Sequence, residues 1–314
     1  MNSVDLATMD LNLLKVFEAL YEEGGASRAA IRLDLTQSAV SAALRRLRAL
    51  YSDGLFVRTG RGLKPTSRAS ELKPVIAEAL DKCRQSLSMA APDATDFRGR
   101  TVAIALSDDF ELALGRRLMD LVSVLAPGLR LIFRQTHSQI VSAALANREM
   151  DIAITAGGLT ARGLSREVLG EGSYACLLDG ASLANPDDSL TLDNYVAREH
   201  LLVSSGGIVG IVDEGLAALA LKRRVIASTT HFAALPYLLK GSNAIATVPD
   251  HAAHAIAALS GLRVLQCPLP LPRYPIELGW RTNALRDPAV VKVRLAIAQC
   301  FKANSDAKAL PLVV

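Results

Sequence analysis

Between Thr36 and Leu50 two side-chain stripes run along the same stretch of chain without mixing. Val40, Leu44, Leu47 and Leu50 recur at steps of four, three and three, the spacing of one apolar face of an α-helix. Ser38, Ser41, Arg45 and Arg48 recur at steps of three, four and three on another face, with no acid among them. Such a helix must bury one side and leaves the other neutral to cationic. Thr36 is placed to cap it. Asp34 and Leu35 allow only a short turn from a preceding helix, Ala26 to Leu33, in which Ala29 and Ala30 permit close approach of a neighbour. An earlier helix, capped by Asp10, carries Leu13, Leu14, Phe17, Leu20 and Tyr21 at helical spacing and stops at Gly24-Gly25. This restricts the stretch to a small helical bundle with a tight turn before its third helix.

A bundle with a solvated polar face is the plain alternative, since charged helix faces usually do no more than meet water. The short turn and the acid-free stripe argue against it, and so does the segment beyond the third helix. Leu55-Phe56-Val57-Arg58-Thr59-Gly60-Arg61-Gly62-Leu63-Lys64-Pro65-Thr66 alternates apolar residues around a Gly-x-Gly turn and carries three cations. That pattern predicts a two-stranded wing able to lie along a phosphate backbone. From Leu44 to Arg68 there are seven cations and one acid, on a chain whose net charge is only +4. Positive charge confined to one block of a near-balanced protein marks a surface for a polyanion. Short hydroxyls early on the third helix let the backbone approach base edges, and arginines further along reach phosphate or guanine.

The run from Asp10 to Thr66 resembles the winged helix-turn-helix of LysR-type transcriptional regulators. The resemblance is most specific in Thr36-Gln37-Ser38-Ala39-Val40-Ser41, Leu44-Arg45-Arg46-Leu47 and Leu55-Phe56-Val57-Arg58. It implies that Gln37, Ser38 and Ser41 approach bases of double-stranded promoter DNA while Arg45, Arg46 and Arg58 hold the backbone. With Thr36, Arg48 and Arg61 these are the expected DNA-binding residues. The DNA-binding domain is then residues 1–66.

Thr66 can cap a further helix spanning a linker at 67–92. Leu72, Val75, Ile76, Ala79, Leu80, Cys83 and Leu87 form a continuous apolar stripe on it, and Pro74 should kink it. A helix without a domain to cover it needs a partner; packing back on its own chain is the alternative. The family pairs this helix with its copy, which implies a homodimer or homotetramer.

Residues 93–314 alternate strand-like and helix-like segments, with strands expected at 101–106, 129–134, 151–155, 174–178, 201–204, 224–227, 244–248, 263–266 and 276–279. This predicts an α/β fold with largely parallel sheets, whose ligands gather beyond the carboxyl ends of strands. Four such ends are polar: Ser107-Asp108-Asp109, Gln135-Thr136-His137, Ser204-Ser205-Gly206-Gly207 and Ser228-Thr229-Thr230-His231-Phe232. Helix capping accounts for any one of them, and all four together suggest a converging site. This region also resembles the LysR effector domain, a periplasmic-binding-protein-like pair of α/β subdomains, here about 97–168 plus 271–303 and about 169–270. Arg148–Thr155, His231–Pro249 and Leu278–Val290 look most like the nodulation and aromatic-degradation branch. Gly180-Ala181-Ser182 departs from it, where relatives often carry an Asp-His-Pro-type turn. Aromatic-responsive members line the effector cavity with a histidine that matches His231. The expected effector-binding residues are Ser107, Thr136, Ser205, Thr229, His231 and Phe232, around an aromatic acid or related carboxylate.

Other classes find little support. Gly206, Gly207 and Gly210 have the wrong spacing for a dinucleotide fingerprint, and neither a nucleophile elbow nor a phosphate loop occurs. His251 and His254 read as a helix face rather than a metal pair. The four cysteines, Cys83, Cys176, Cys267 and Cys300, read as buried free thiols. No enzyme, cofactor or metal is expected. The N-terminus has no secretory pattern and no run is apolar enough to span a membrane, so the chain reads as cytoplasmic. A DNA-binding regulator without a small-molecule effector is the nearest alternative function.

Overall fold

The structure is a computed structural model and describes residues 9–60, 62–90, 97–138, 140–183, 189–204 and 206–309. The chain splits into two compact units, Met1–Ala94 with Ala146–Glu149, and Thr95–Leu145 with Met150–Val314.

The first unit runs α1 (Asn12–Glu23), α2 (Ala26–Leu33), α3 (Gln37–Tyr51), β1 (Phe56–Thr59), β2 (Gly62–Pro65) and α4 (Ser67–Ala90). The left-handed backbone of Gly24 and Asp34 ends the first two helices. Thr36 caps α3, its hydroxyl accepting from the Ala39 N–H at 3.2 Å. Asp10 acts one residue earlier than a cap: Leu11 holds that position, and the Asp10 carboxylate accepts from the Asn12 N–H at 3.0 Å. Phe17, Leu20, Val40, Leu47, Leu55 and Phe56 form the buried centre, each contributing roughly 1.5–3 kcal/mol through burial. The wing is antiparallel, Phe56 opposite Pro65 and Thr59 opposite Gly62. Gly62 is required there, because a Cβ would lie 2.5 Å from the Gly24 carbonyl oxygen, which the Leu63 N–H meets at 2.8 Å.

The stripe expected along α4 splits in two. Leu72, Ile76 and Leu80 pack back on the helical bundle, with Ile76 and Leu80 buried. Val75 is 64% exposed and Leu87 71% exposed, and Ala79 and Cys83 are exposed with them. The four recur every fourth residue, a ridge beside the packed face. One flank of the wide stripe therefore serves α1, where the sequence pattern suggested a partner for the whole of it. Cys83 also departs from the expected buried thiol.

The second unit holds two five-stranded sheets. One has the order β4-β3-β5-β12-β6, from β3 (Thr101–Leu106), β4 (Arg130–Gln135), β5 (Ile152–Thr155), β6 (Leu164–Gly172) and β12 (Tyr274–Arg281). The other has the order β11-β7-β10-β8-β9, from β7 (Tyr174–Leu178), β8 (Glu199–Val203), β9 (Arg224–Thr229), β10 (Ile245–Pro249) and β11 (Arg263–Gln266). The helices are α5 (Asp108–Leu125), α6 (Val141–Ala146), α7 (Leu192–Ala197), α8 (Ile211–Ala217), α9 (Leu235–Leu239), α10 (Asp250–Ser260) and α11 (Pro288–Ala309).

Largely parallel sheets were expected, yet four of the eight pairings are antiparallel. The cause is the double crossing between sheets. β6 passes straight into β7, and β12 arrives from the second sheet without the helical crossover that parallel pairing needs. β6 was not expected as a strand at all. Gly172 at its end permits the crossing, since a Cβ there would fall 2.2 Å from the Tyr274 ring.

Candidate nucleic-acid interface and effector cleft

Burial of Val40, Ala43, Leu44 and Leu47 against the bundle turns the opposite face of α3 outward. Thr36, Gln37, Ser38, Ser41, Arg45 and Arg46 are all exposed on it, as is Arg58 on the wing. The Thr36 and Ser38 hydroxyls share a hydrogen bond of 2.9 Å. Arg46 reaches Asp10 at 3.3 Å in an exposed pair that costs little to open. Arg61 lies outside the described residues.

Arg48, also among the residues expected on DNA, is exposed and reaches across to the wing. Its Nε donates to the Gly54 carbonyl at 2.8 Å and its Nη2 to the Phe56 carbonyl at 2.9 Å. Those donors fasten the wing to the reading helix. Asp53, the lone acid of the basic block, works beside it. Its Oδ1 accepts from the Leu55 N–H at 2.6 Å and the Thr66 hydroxyl at 2.8 Å, tying both ends of the wing. Those two hydrogen bonds, the backbone one foremost, hold the Asp53 carboxyl below its usual pKa.

In the second unit, β3 and β4 are parallel neighbours in register, so Ser107 and Thr136 leave adjacent strand ends. Ser107 starts α5 but makes no capping bond; its hydroxyl turns to Asp109. Thr136 is 4% exposed, and its Oγ1 meets no protein partner. From the second sheet, the turn at 231–234 reaches the same place. Gln135 Nε2 lies 3.4 Å from His231 Nδ1, and the Ala233 N–H donates to Asp108 Oδ2 at 3.2 Å. Asp108 Oδ1 is buried without a partner. His231 likewise makes no side-chain capping bond. Thr229 is committed locally, accepting from the His231 N–H at 3.3 Å.

The structure thus brings Ser107, Thr136, Thr229 and His231 together at the facing ends of the two sheets. Ser205 lies outside the described residues. Phe232, next to His231, is partly buried and packs against the apolar core of the second sheet. Asp108, Gln135 and Asp109 were missed as individual site residues, although each stood in a polar strand end already singled out. His251 was missed as well. Its Nε2 meets Asp109 Oδ2 at 3.0 Å and its ring stacks on Phe110, while His254 pairs with Asp250 at 3.3 Å. Among the described residues no three His, Cys, Asp or Glu side chains group as a metal site, and no helix is long and apolar enough to cross a membrane.

The chain is similar to known proteins over most of its length. Residues 11–70 match the family described as "Bacterial regulatory helix-turn-helix protein, lysR family", and residues 96–300 match "LysR substrate binding domain". The HTH-type transcriptional activator NahR of Pseudomonas putida is 31% identical over 301 residues, covering 95% of this chain and 99% of that protein. Nodulation protein D 1 of a Bradyrhizobium strain is 31% identical over 300 residues, covering 93% of each. A solved probable transcriptional regulator from Pseudomonas aeruginosa superposes with a TM-score of 0.72 at 29% identity, over 92% of this chain and 97% of that one. The chain belongs to the LysR family of bacterial helix-turn-helix regulators.

Proposed function

We propose that this protein controls transcription by binding promoter DNA through α3 and the wing, under the control of a small molecule held between the two sheets of its second unit. The observation that carries the effector half is the meeting of Gln135 with His231 beside two buried oxygens, Thr136 Oγ1 and Asp108 Oδ1, that lack protein partners. Buried polar atoms are rarely left unsatisfied, so a ligand group there recovers hydrogen bonds that the protein alone does not make.

The charge at this place narrows the ligand. The first turn of α5 already carries Asp108, Asp109 and Glu111, which answer the positive end of the helix. A phenol hydroxyl, able to donate to Asp108 and accept from Thr136, suits the position better than a carboxylate. The relatives are named as regulators, and a role on promoters asks no catalysis of any residue. A regulator that acts on promoters works in the cytoplasm, and α4 is the element through which two copies of this chain join.

Calorimetry and thermal melting with a panel of phenols and aromatic acids test this. A phenolic effector should raise the melting temperature of the wild type. It should bind Thr136→Val and His231→Ala at least tenfold more weakly. A confirmed effector that binds all three proteins equally places the site elsewhere.

A further inference from the structure

One face of the second sheet buries a polar cluster that takes no part in the cleft. Cys176 on β7 stands directly opposite Thr247 on β10 on one side and Leu265 on β11 on the other. Cys267 follows Leu265 by two residues, so it falls on the same face, diagonal to Cys176. Both thiols belong to one apolar cluster with Tyr195, Leu265 and Leu269, and both are free. The two are 91 positions apart in sequence, and the pairing of β7 with β11 brings them to one face of the sheet.

The surroundings of the two sulfurs differ. Cys176 is wholly buried, with its Sγ 3.8 Å from Thr247 Oγ1, which in turn lies 2.6 Å from the Tyr195 hydroxyl. Cys267 is only partly buried and packs against the edge of the same cluster. Arg223, whose side chain is almost fully covered and bonded to Asp213 at 2.7 Å, adds positive charge. The neighbouring Cys176 thiol is the largest influence on Cys267; burial opposes it, but the Leu269 backbone and Arg223 help bring the thiol down to about 7. The neighbouring Cys267 sulfur, with burial, pushes the Cys176 thiol upward. Cys267, the partly exposed thiol, is the more readily ionised of the two, and burial disfavours the thiolate of Cys176.

We propose that Cys176 and Cys267 form a reversible dithiol–disulfide site, oxidised by small peroxides at Cys267 and closed by Cys176. In the first step the Cys267 thiolate attacks one peroxide oxygen. The O–O bond breaks, Cys267 becomes a sulfenic acid, and the departing hydroxide takes a proton to leave as water. In the second step Cys176 gives up its proton and attacks the Cys267 sulfur. The S–O bond breaks, and the hydroxide released combines with that proton. Two thiols and one hydrogen peroxide give one disulfide and two waters. A dithiol reductant reverses the bond by thiol–disulfide exchange. The partial exposure of Cys267 gives a peroxide access that fully buried Cys176 lacks, and this sets the order of the steps.

The test uses full-length, reduced protein carrying Cys83→Ser, which removes the exposed thiol. After hydrogen peroxide and denaturing alkylation, mass spectrometry should find one linked pair of peptides containing Cys176 and Cys267, and two fewer free thiols per chain. Dithiothreitol should restore both. With Cys176→Ser added, Cys267 should accumulate as a sulfenic acid trapped by dimedone. With Cys267→Ser added instead, Cys176 should stay a free thiol. Peroxide that leaves Cys176 and Cys267 both free, or links either to Cys300, overturns the proposal. No effector enters this test, so its outcome is independent of the cleft.

Discussion

His251 lies flat on Phe110, with ring centroids 4.5 Å apart and planes inclined by only 12°. The histidine belongs to α10, packed with the second sheet, and the phenylalanine to α5, packed with the first. With the Asp109 contact at 3.0 Å, the pair clasps the two halves of the second unit beside the candidate cleft. A ring stack contributes about 0.5–1.5 kcal/mol and a hydrogen bond a similar amount. His251→Ala should therefore lower the stability of this unit by about 1–3 kcal/mol. Urea unfolding followed at its single tryptophan, Trp280, measures the loss. An unchanged midpoint shows that the clasp holds nothing.

The wing depends on α3 through Arg48. Because its bonds go to the Gly54 and Phe56 carbonyls, Arg48→Ala should destabilise the first unit by about 1–3 kcal/mol, the range for bonds from a charged donor. Circular dichroism melting of the variant checks this. Arg45→Ala, which removes an exposed cation, should leave the melt unchanged.

The reading helix was legible because its physics is local. A cap at Thr36, a step of three or four, and a short turn are all written in adjacent residues, and α2 and α3 begin where those signals fall. The split of the α4 stripe was not legible, since periodicity says that Ile76 and Val75 are apolar but not which neighbour covers each. β6 escaped because Arg166, Glu167, Gly170 and Glu171 break its apolar alternation, and only pairing along β12 makes it a strand. Thr136 and His231 could be chosen from their strand ends. The partners that bring them together, Gln135 and Asp108, required the tertiary fold.

Acid should weaken the second sheet through His200. This ring is fully buried, with Nε2 2.9 Å from the Tyr195 carbonyl. Burial first, and then Arg223, bring its pKa down from 6.5 to about 4. Between those values the unfolded chain takes up a proton that the folded protein refuses. Stability is therefore fully present above pH 6.5 and declines as the pH falls towards 4. The slope due to this one group approaches about 1.4 kcal/mol per pH unit. Comparing wild type with His200→Gln by urea unfolding at pH 7 and pH 5 isolates it. An equal loss in both proteins assigns the acid sensitivity to other groups.

On α4, the two flanks of the stripe should respond differently. Val75→Glu places a charge on the exposed ridge and should give a folded monomer in sedimentation. Ile76→Glu buries an unpaired charge in the bundle and should cost about 3 kcal/mol or more, unfolding the first unit. A Val75→Glu protein that sediments as the wild type does would remove this ridge from the assembly.

The most direct test of DNA reading by α3 is fluorescence anisotropy of the full-length protein on a duplex from its own promoter and on a scrambled duplex, across a range of salt. The wild type should prefer the promoter, and Gln37→Ala should lose about 1–3 kcal/mol of that preference while keeping its affinity for scrambled DNA. Arg58→Ala should weaken binding to both duplexes alike and flatten the salt dependence. Equal losses on both duplexes for Gln37→Ala, with no promoter preference in the wild type, would contradict a reading helix at α3.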